Sequence, residues 1–301
     1  MKIKRDIILI CPGGAMSGVF GAGVLTAFQD ANLYPRIRRI YAGSAGAINA
    51  AVFLAKQTKK LSSVYYDDCL GTKLIKPKNV PLVYAQLIKN YVRKNSKKKI
   101  VKIIDLDYLV ELLKTKKKLD IKELLNNKIE FRIMVTDLKS LKLKTFNGKT
   151  KNILNLLKAS ADPVPYYNVP VKLYGKYYID GAIIDPLILP SVFGEVTKNC
   201  KIIIINNSTI ERNFLFDIKG FLEASAAYFM FKKEALYKAF MQRNKKFEDG
   251  LKLIKNHKNI YLIAPPKDKT IASTTNRKKL LATYNSGIQI GKNFLKRNKF
   301  V

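Results

Sequence analysis

The segment at residues 38–50, with the sequence RRIYAGSAGAINA, constrains the fold more than any other part of the chain. A short apolar run, IYA, breaks at GSAG and continues into the helix-forming sequence AINAAVFLAK. A serine between very small residues, where a strand turns sharply into a helix, is typical of a nucleophile elbow. Side chains two residues before and after the serine would collide in such a turn, and Ala42 and Gly46 occupy these positions around Ser44. Taken alone, the segment also fits a small-residue helix N-terminus capped by a serine.

The elbow interpretation assigns chemistry to two neighbouring residues. The turn would lift the Ser44 hydroxyl out of the backbone, where it can act as a nucleophile. It would also direct the N–H groups of the following helix, beginning with that of Ala45, at an oxyanion.

A glycine-rich segment, GGAMSG at residues 13–18, lies between a predicted strand at 6–11 and a predicted helix at 18–31. Glycines in this position let backbone N–H groups face an anion at a positive helix terminus. A dinucleotide site would need an acidic residue at the end of the second strand, and a P-loop would need a lysine; neither is present. An oxyanion hole serving Ser44 needs neither residue. A glycine turn that only allows close helix packing fits as well.

The order strand, glycine turn, helix, strand, elbow, helix predicts a parallel sheet covered by helices. Further apolar runs predict strands at 130–137, 201–206 and 259–266, and an alternating hairpin partner at 141–146. Helical patterns occupy 152–160, 219–255 and 277–296, and a Lys-rich, largely helical insertion spans about 60–130. We therefore predict an α/β domain with helical additions.

Two residues compete for the role of the base that accepts the serine proton. His257 is the only histidine, and it lies in a loop-like, lysine-rich stretch. The chain order would permit a Ser-acid-His triad through it. Asp180 ends an apolar strand in YIDGA, and an aspartate fixed there can accept the proton directly in a Ser–carboxylate dyad. A simple Asp-Gly turn is the alternative for Asp180.

The charge balance is extreme, with 56 Lys and Arg against 22 Asp and Glu, a net charge of +34. Such a chain is attracted to polyanions, either nucleic acid or an anionic lipid surface. The densest clusters, at 94–102 and 114–118, hold no arginine and no interleaved aromatic residue that could stack on bases. We interpret the charge as genome composition bias together with some affinity for anionic surfaces.

The cellular location is predicted from the targeting and membrane-spanning segments that the sequence lacks. The sequence has no apolar stretch of the ~18 residues typical of a membrane span, and its N-terminus lacks the pattern of a signal peptide. Three scattered cysteines suit a reducing compartment. We therefore expect a cytoplasmic protein that is peripheral to membranes.

The apolar stripe at 220–231, GFLEASAAYFMF, is interpreted as core packing, with a lipid-facing flap as the alternative.

The segments GGAMSGVFGAGVL, AGSAGAINA, ASADPVP and IDGA, in this order, resemble the patatin-like phospholipase family. The resemblance extends from about Asp6 to about Gly291. It implies a three-layer α/β/α fold with a mostly parallel central sheet and helical insertions. It also implies a single domain over 1–301, with the insertion at about 60–130 and a helical C-terminal region at about 219–301.

The resemblance makes Ser44 the nucleophile and Asp180 the base of a dyad that needs no histidine. It places the oxyanion hole at Gly13, Gly14 and Ala15, together with Ala45. The remaining motif positions are Ser17, Gly18, Ala42, Gly46, Gly181 and Ala182. Three departures from the family pattern stand out: Ala42 and Ala15 replace glycines, and Ser17 stands where many relatives carry arginine.

The resemblance implies a lipid acyl hydrolase of the phospholipase A type, with a serine esterase mechanism and neither metal nor cofactor. The implied partners are a phospholipid or other acyl-ester lipid and an anionic membrane surface, with non-specific nucleic acid binding through charge. The alternative is a catalytically weak or inactive relative that binds anionic membranes or nucleic acid.

Overall fold

The structure is a computed structural model that describes residues 5–92, 101–167, 169–195, 200–210, 214–267 and 273–300. Its central sheet comprises the strands Ile7–Cys11 (β1), Ile37–Ala42 (β2), Glu130–Asp137 (β3), Leu143–Asn147 (β4), Val171–Leu173 (β5), Lys176–Asp180 (β6), Lys201–Ile205 (β7) and Ile260–Ile263 (β8). The helices are Gly18–Asp30 (α1), Ala45–Leu54 (α2), Thr58–Leu61 (α3), Asn79–Val92 (α4), Leu106–Lys114 (α5), Ile121–Asn126 (α6), Ile153–Ser160 (α7), Leu189–Val192 (α8), Phe214–Phe231 (α9), Glu234–Asn256 (α10) and Arg277–Arg297 (α11).

The sheet has the strand order β5-β6-β3-β2-β1-β7-β8, with β4 paired to β3. The five neighbouring strands β3, β2, β1, β7 and β8 are parallel. The strands β4, β5 and β6 join the sheet through antiparallel pairs. The buried apolar run of β1 explains its central position, because a parallel strand covered on both faces must be apolar throughout. The predicted mostly parallel sheet is confirmed.

Helices cover both faces of the sheet. Side chains of β1 alternate between the faces, as the two-residue period of a strand requires. Leu9 packs in the cluster that contains residues of α1, α2, α7 and α11. Ile8 and Ile10 pack in the cluster on the other face, with residues of α8 and α10. These layers confirm the predicted three-layer α/β/α fold.

Glycine contacts hold α11 directly against α1. A Cβ atom added at Gly23 of α1 would stand 2.2 Å from the backbone oxygen of Tyr284, and one added at Gly287 would stand 2.2 Å from that of Phe20. Both distances are shorter than any real Cβ contact, so the two helix backbones meet where only glycine fits. The C-terminal helix is therefore packed against the helix that follows the glycine-rich loop.

One predicted helix needs correction, and one strand was missed. The helix predicted at 219–255 is two helices, because Lys232 adopts a φ of +52° and Lys233 turns its ammonium group to the backbone oxygen of Leu138 at 2.7 Å. The short strand β5 was not predicted at all. The Lys-rich segment is largely helical as predicted, with a π-helical turn at Val64–Asp68, although residues 93–100 of its densest cluster lie outside the described residues.

Within the described parts of the chain, none of the helices combines the length and the apolar character that crossing a bilayer would require.

Candidate active site

The strand registers bring Ser44 and Asp180 together. Ala42 at the end of β2 pairs with Ile133 of β3, and Val135, two residues further along β3, pairs with Asp180 of the antiparallel β6. Ser44, two residues past Ala42, is therefore level with Asp180 at the carboxyl edge of the parallel strands. The hydroxyl of Ser44 faces the carboxyl group of Asp180 closely enough to lower its pKa.

The backbone around Ser44 has the conformation of a strained turn. Ser44 adopts a φ of +55° and a ψ of −134°, immediately before α2. A non-glycine residue with positive φ is uncommon and persists only where the surrounding structure enforces it. Here Gly43 donates its N–H to the oxygen of Cys11 at 3.1 Å, and a Cβ atom at Gly46 would stand 2.0 Å from that same oxygen. The small residue at position 46 is thus required by contact with β1.

Asp180 is buried, with 5% of its surface exposed, and its carboxyl group is tied to the turn that follows. Its Oδ1 accepts the N–H of Ala182 at 2.8 Å, while Gly181 packs against the backbone of Met134. Burial raises the pKa of Asp180 to about 6, opposed by the bonds from Ala182 and Ser44 and by the charge of Arg243. A carboxylate of this basicity is ionised at neutral pH and is a stronger base than an exposed aspartate.

His257 lies at the other edge of the sheet. His257 lies just before β8, at the edge of the sheet where the parallel strands begin. Its ring contacts Leu253 and Phe193 there. The structure therefore does not bring His257 to Ser44, and the triad alternative has no histidine available in the described residues.

The glycine-rich loop is held by Asn207, which follows β7 and is buried. Its Nδ2 donates to the backbone oxygens of Pro12 at 2.8 Å and Gly13 at 3.1 Å, and its Oδ1 accepts the N–H of Gly21 at 3.0 Å. In a trans peptide the carbonyl and the following N–H point in opposite directions. Asn207 therefore turns the N–H groups of Gly13 and Gly14 away from itself.

Gly13 and Gly14 face different neighbours. A Cβ atom at Gly13 would stand 2.8 Å from Cβ of Ser44, so this glycine lies directly against the serine side chain. Gly14 has a φ of +156°, and a Cβ atom there would stand 2.5 Å from Cβ of Asn207. Larger residues would push the loop away from Ser44 or from Asn207.

The other motif residues lie around the glycine-rich loop and the turn at Ser44. Ala15 has a φ of +49° and opens the turn that leads into α1. Ser17 is buried there and donates its N–H to Gly14, and Gly18 lies beneath the hydroxyl of Tyr65. Ala45 begins α2, so its N–H is one of those that have no partner within the helix.

Ser160 holds the backbone of the serine turn and was not identified from the sequence as a site residue. Its Oγ accepts the N–H of Ser44 at 3.0 Å and donates to the oxygen of Met134 at 2.7 Å. It closes α7 and is fully buried. Two residues later, the backbone oxygen of Asp162 accepts the N–H of Asp180 at 3.0 Å. One short segment therefore contacts the backbones of both Ser44 and Asp180.

The side chain of Asp162 is a second carboxyl group beside Asp180. It is fully buried, and neither of its oxygens has a hydrogen-bond partner among the described residues. Burial and the charge of Asp180 raise the pKa of Asp162 well above its ordinary value, against weaker opposing effects of Lys158 and Lys102. Burial and the neighbouring charge therefore favour the protonated form of Asp162.

An apolar pocket opens beside Ser44. Its empty volume, counted together with the open solvent at its mouth, is about 850 Å³. Aliphatic side chains of α2, α5 and the segment between α3 and α5 form most of the wall, including Ile48, Val52, Leu61, Leu74, Ile75, Ile104, Leu106, Leu109 and Leu113. Such a wall suits a hydrocarbon chain. No group of three metal-ligating side chains converges anywhere in the described ranges.

Comparison with known proteins agrees with this geometry. The family model described as patatin-like phospholipase matches residues 9–192, which contain Ser44 and Asp180. The chain is 28% identical over 185 residues to the uncharacterized protein YjjU of Escherichia coli strain K12, covering 60% of this chain and 46% of YjjU. The chain thus spans about half the length of this relative.

Solved structures show a related fold. VipD from Legionella pneumophila aligns with a TM-score of 0.52 and 16% identity, covering 97% of this chain and 67% of VipD. The type III effector protein ExoU aligns with a TM-score of 0.45 and 13% identity, covering 98% of this chain and 54% of ExoU. The family match spans more than half of the chain and includes the elbow and the glycine-rich loop, so this protein belongs to the patatin-like phospholipase family.

Proposed function

We propose that the protein is a lipid acyl hydrolase that uses a Ser44–Asp180 dyad and a backbone oxyanion hole. The observation that carries the proposal is the position of Ser44. It occupies a positive-φ turn, its hydroxyl faces the buried Asp180 and lowers the pKa of that carboxyl group, and it lies at an apolar pocket. These three features together favour attack on the ester of a long-chain acyl lipid.

In the acylation step, Asp180 accepts the proton of Ser44 as Oγ attacks the ester carbonyl carbon. The resulting oxyanion is stabilised by the N–H groups of Gly13 and Gly14, which Asn207 orients, with Ala15 nearby and the N–H of Ala45 at the start of α2. The tetrahedral intermediate then collapses. The alcohol leaves with the proton from Asp180, and the acyl group stays on Ser44.

In the deacylation step, water attacks the acyl carbon while Asp180 accepts its proton. Collapse of the second intermediate returns the proton to Ser44 and releases the fatty acid. The apolar pocket holds the acyl chain through both steps, which leaves the polar part of the substrate at the mouth. The net charge of +34 favours a peripheral approach to an anionic membrane surface.

The pKa of Asp180 is expected to determine how the activity falls at acidic pH. The dyad works only when Asp180 is ionised, so kcat/KM is expected to rise with pH through about 6 and then level off. A pH profile on a neutral ester substrate measures this directly.

The deciding experiment is labelling with a fluorophosphonate together with an ester hydrolysis assay. Ser44→Ala and Asp180→Asn should each lower kcat by about 10⁴–10⁶-fold, as in other enzymes whose nucleophile and base act as one unit. His257→Ala is the control and should retain activity, because this ring lies at the other edge of the sheet.

Two results would count against the proposal. If folded wild-type protein neither reacts with the probe nor cleaves esters, the chain is an inactive scaffold that binds anionic surfaces. If His257→Ala is inactive and Asp180→Asn is not, the base has been assigned wrongly.

A further inference from the structure

Helix α9 is apolar on two opposite sides. On its inner side, Ala224 and Ala227 pack against Ile179 and Ile183, which flank Asp180 in the chain. On its outer side lie the residues Ile218, Phe221 and Leu222, which are 42%, 50% and 46% exposed. Their spacing of three and four residues puts them on one face of the helix. The sequence prediction of core packing is therefore wrong for this face.

Helix α4 repeats this arrangement. Its residues Val83 and Leu87 are buried against Ala226 of α9, whereas Leu82 and Ile88 are 53% and 55% exposed. The two helices thus pack together, and each presents large apolar side chains to the outside. A helix that is apolar all round is normally covered, and a contiguous apolar patch on a protein surface usually marks an interaction site.

The two helices are connected to the active site by direct contacts. Leu74, Ile75 and Ile104 line the pocket and bracket the segment that carries α4. Tyr166 donates its hydroxyl to Glu223 of α9 at 2.7 Å, and Arg243 of α10 binds the same carboxylate at 2.6 Å. Ile104 also packs in the cluster of Val83 and Leu87, so the inner side of α4 and the pocket wall share a side chain.

We propose that the helix-pair face, defined by Leu82, Ile88, Ile218, Phe221 and Leu222, is the surface through which the protein inserts into an anionic bilayer. The inference rests on the proposed function, because an acyl hydrolase with a narrow apolar pocket must extract its substrate from a membrane. Side chains of this kind reach about 5–10 Å into the boundary between headgroups and acyl chains.

Charge selects the bilayer over a second copy of the chain. The exposed lysines Lys78 and Lys89 stand at the two ends of α4, and Lys232 follows α9. Each lysine near an anionic leaflet contributes about 1 kcal/mol of attraction. Two copies that each carry a net charge of +34 repel each other instead.

The test combines flotation on phosphatidylglycerol-containing vesicles with hydrolysis of a soluble short-chain nitrophenyl ester. The variant Ile88→Gln/Phe221→Gln/Leu222→Gln should lower the vesicle partition coefficient by at least about tenfold, because three apolar anchors are lost. Its rate on the soluble ester should stay unchanged. The matched control is Tyr174→Asn, which removes an aromatic side chain that is 66% exposed at the tip of the β5–β6 hairpin. It should change neither measurement.

If the triple variant does not fold, the single substitution Phe221→Gln replaces it. It should lower the vesicle partition coefficient by a smaller factor. Unchanged flotation of a folded variant overturns the proposal, and so does a wild-type dimer that the variant converts to a monomer. If the wild type lacks esterase activity but the variant still loses flotation, the docking surface stands and only the proposed function fails.

Discussion

The two edges of the parallel sheet carry acidic groups in different environments. At the amino edge, Asp6 pairs with Arg36 at 2.9 Å and Glu130 pairs with Arg39 at 2.7 Å. At the carboxyl edge, Asp162 and Asp180 are buried, and neither takes part in an ion pair among the described residues. The carboxylates of the first edge are each paired with a guanidinium group, whereas burial at the second edge raises the pKa of both Asp162 and Asp180.

The two edges of the sheet therefore contribute differently to the stability of the fold. A paired carboxylate at a surface edge is ordinary structural chemistry. Two neighbouring buried carboxyl groups without a paired cation cost free energy, and the proposed role of Asp180 as the base is a reason to tolerate them. Substitutions at matched positions on the two edges should therefore behave differently.

Among substitutions that compare the two edges, the largest effect on rate is expected for Asn207→Ala against Asn259→Ala. Asn207 holds two carbonyls of the glycine-rich loop, and its loss should lower kcat by about 10²-fold because the oxyanion donors are no longer held in place. Asn259 makes one similar bond, from Nδ2 to the oxygen of Cys200 at 2.9 Å, at the amino edge. Its removal should leave kcat unchanged. Equal kcat values for two folded variants would show that Asn207 does not serve the oxyanion hole.

A smaller effect is expected for Ser160→Ala. This change removes the acceptor for the N–H of Ser44, so the positive-φ turn loses one of its supports and kcat should fall about tenfold at constant KM, which corresponds to about 1.4 kcal/mol. Thr26→Val is the control, since Thr26 is also buried and donates to a backbone oxygen, that of Ala22, at 2.8 Å. Recovery of kcat in Ser160→Thr would support the positioning role. A fall in thermal stability alone, with kcat intact, would contradict it.

The third prediction concerns stability and not rate: Asp162→Ala should make the protein more stable. The native state keeps Asp162 protonated above its ordinary pKa of 3.8, whereas the unfolded state ionises there, so the free energy of unfolding falls as pH rises from about 4. Removing the unpartnered carboxyl should raise this free energy by about 1–3 kcal/mol at pH 8 and by less at pH 4. Thermal melts at the two pH values measure the difference. A variant that is less stable at both would mean that Asp162 has a partner in solution.

The sequence could predict those parts of the candidate site that have local signals. The elbow around Ser44, the glycine pair at 13–14 and the Asp-Gly step at Asp180 each combine chemistry and conformation within a few residues. Asn207 and Ser160 carry no such signal. Their bonds reach residues 195 and 116 positions away, and only the sheet topology brings the partners together.

The outer side of α9 shows a second limit of sequence patterns. Periodicity identified apolar residues at Phe221 and Leu222, but a repeat of three and four residues says only that they share a helix face. Which neighbours cover that face is a property of the tertiary structure. The helix break at Lys232 also depends on tertiary context, because the ammonium group of Lys233 bonds a backbone oxygen 95 residues away.

The glycine contacts between α1 and α11 bear on where the chain can be cut. The family match ends at residue 192, whereas α11 runs from Arg277 to Arg297 and meets α1 backbone to backbone. Deleting α11 would strip the cover from Phe20 and Val24 just after the glycine-rich loop, exposing side chains that are fully buried. An expression boundary drawn at the family match would therefore remove the helix that covers α1, so any truncated version must keep the last helix to fold.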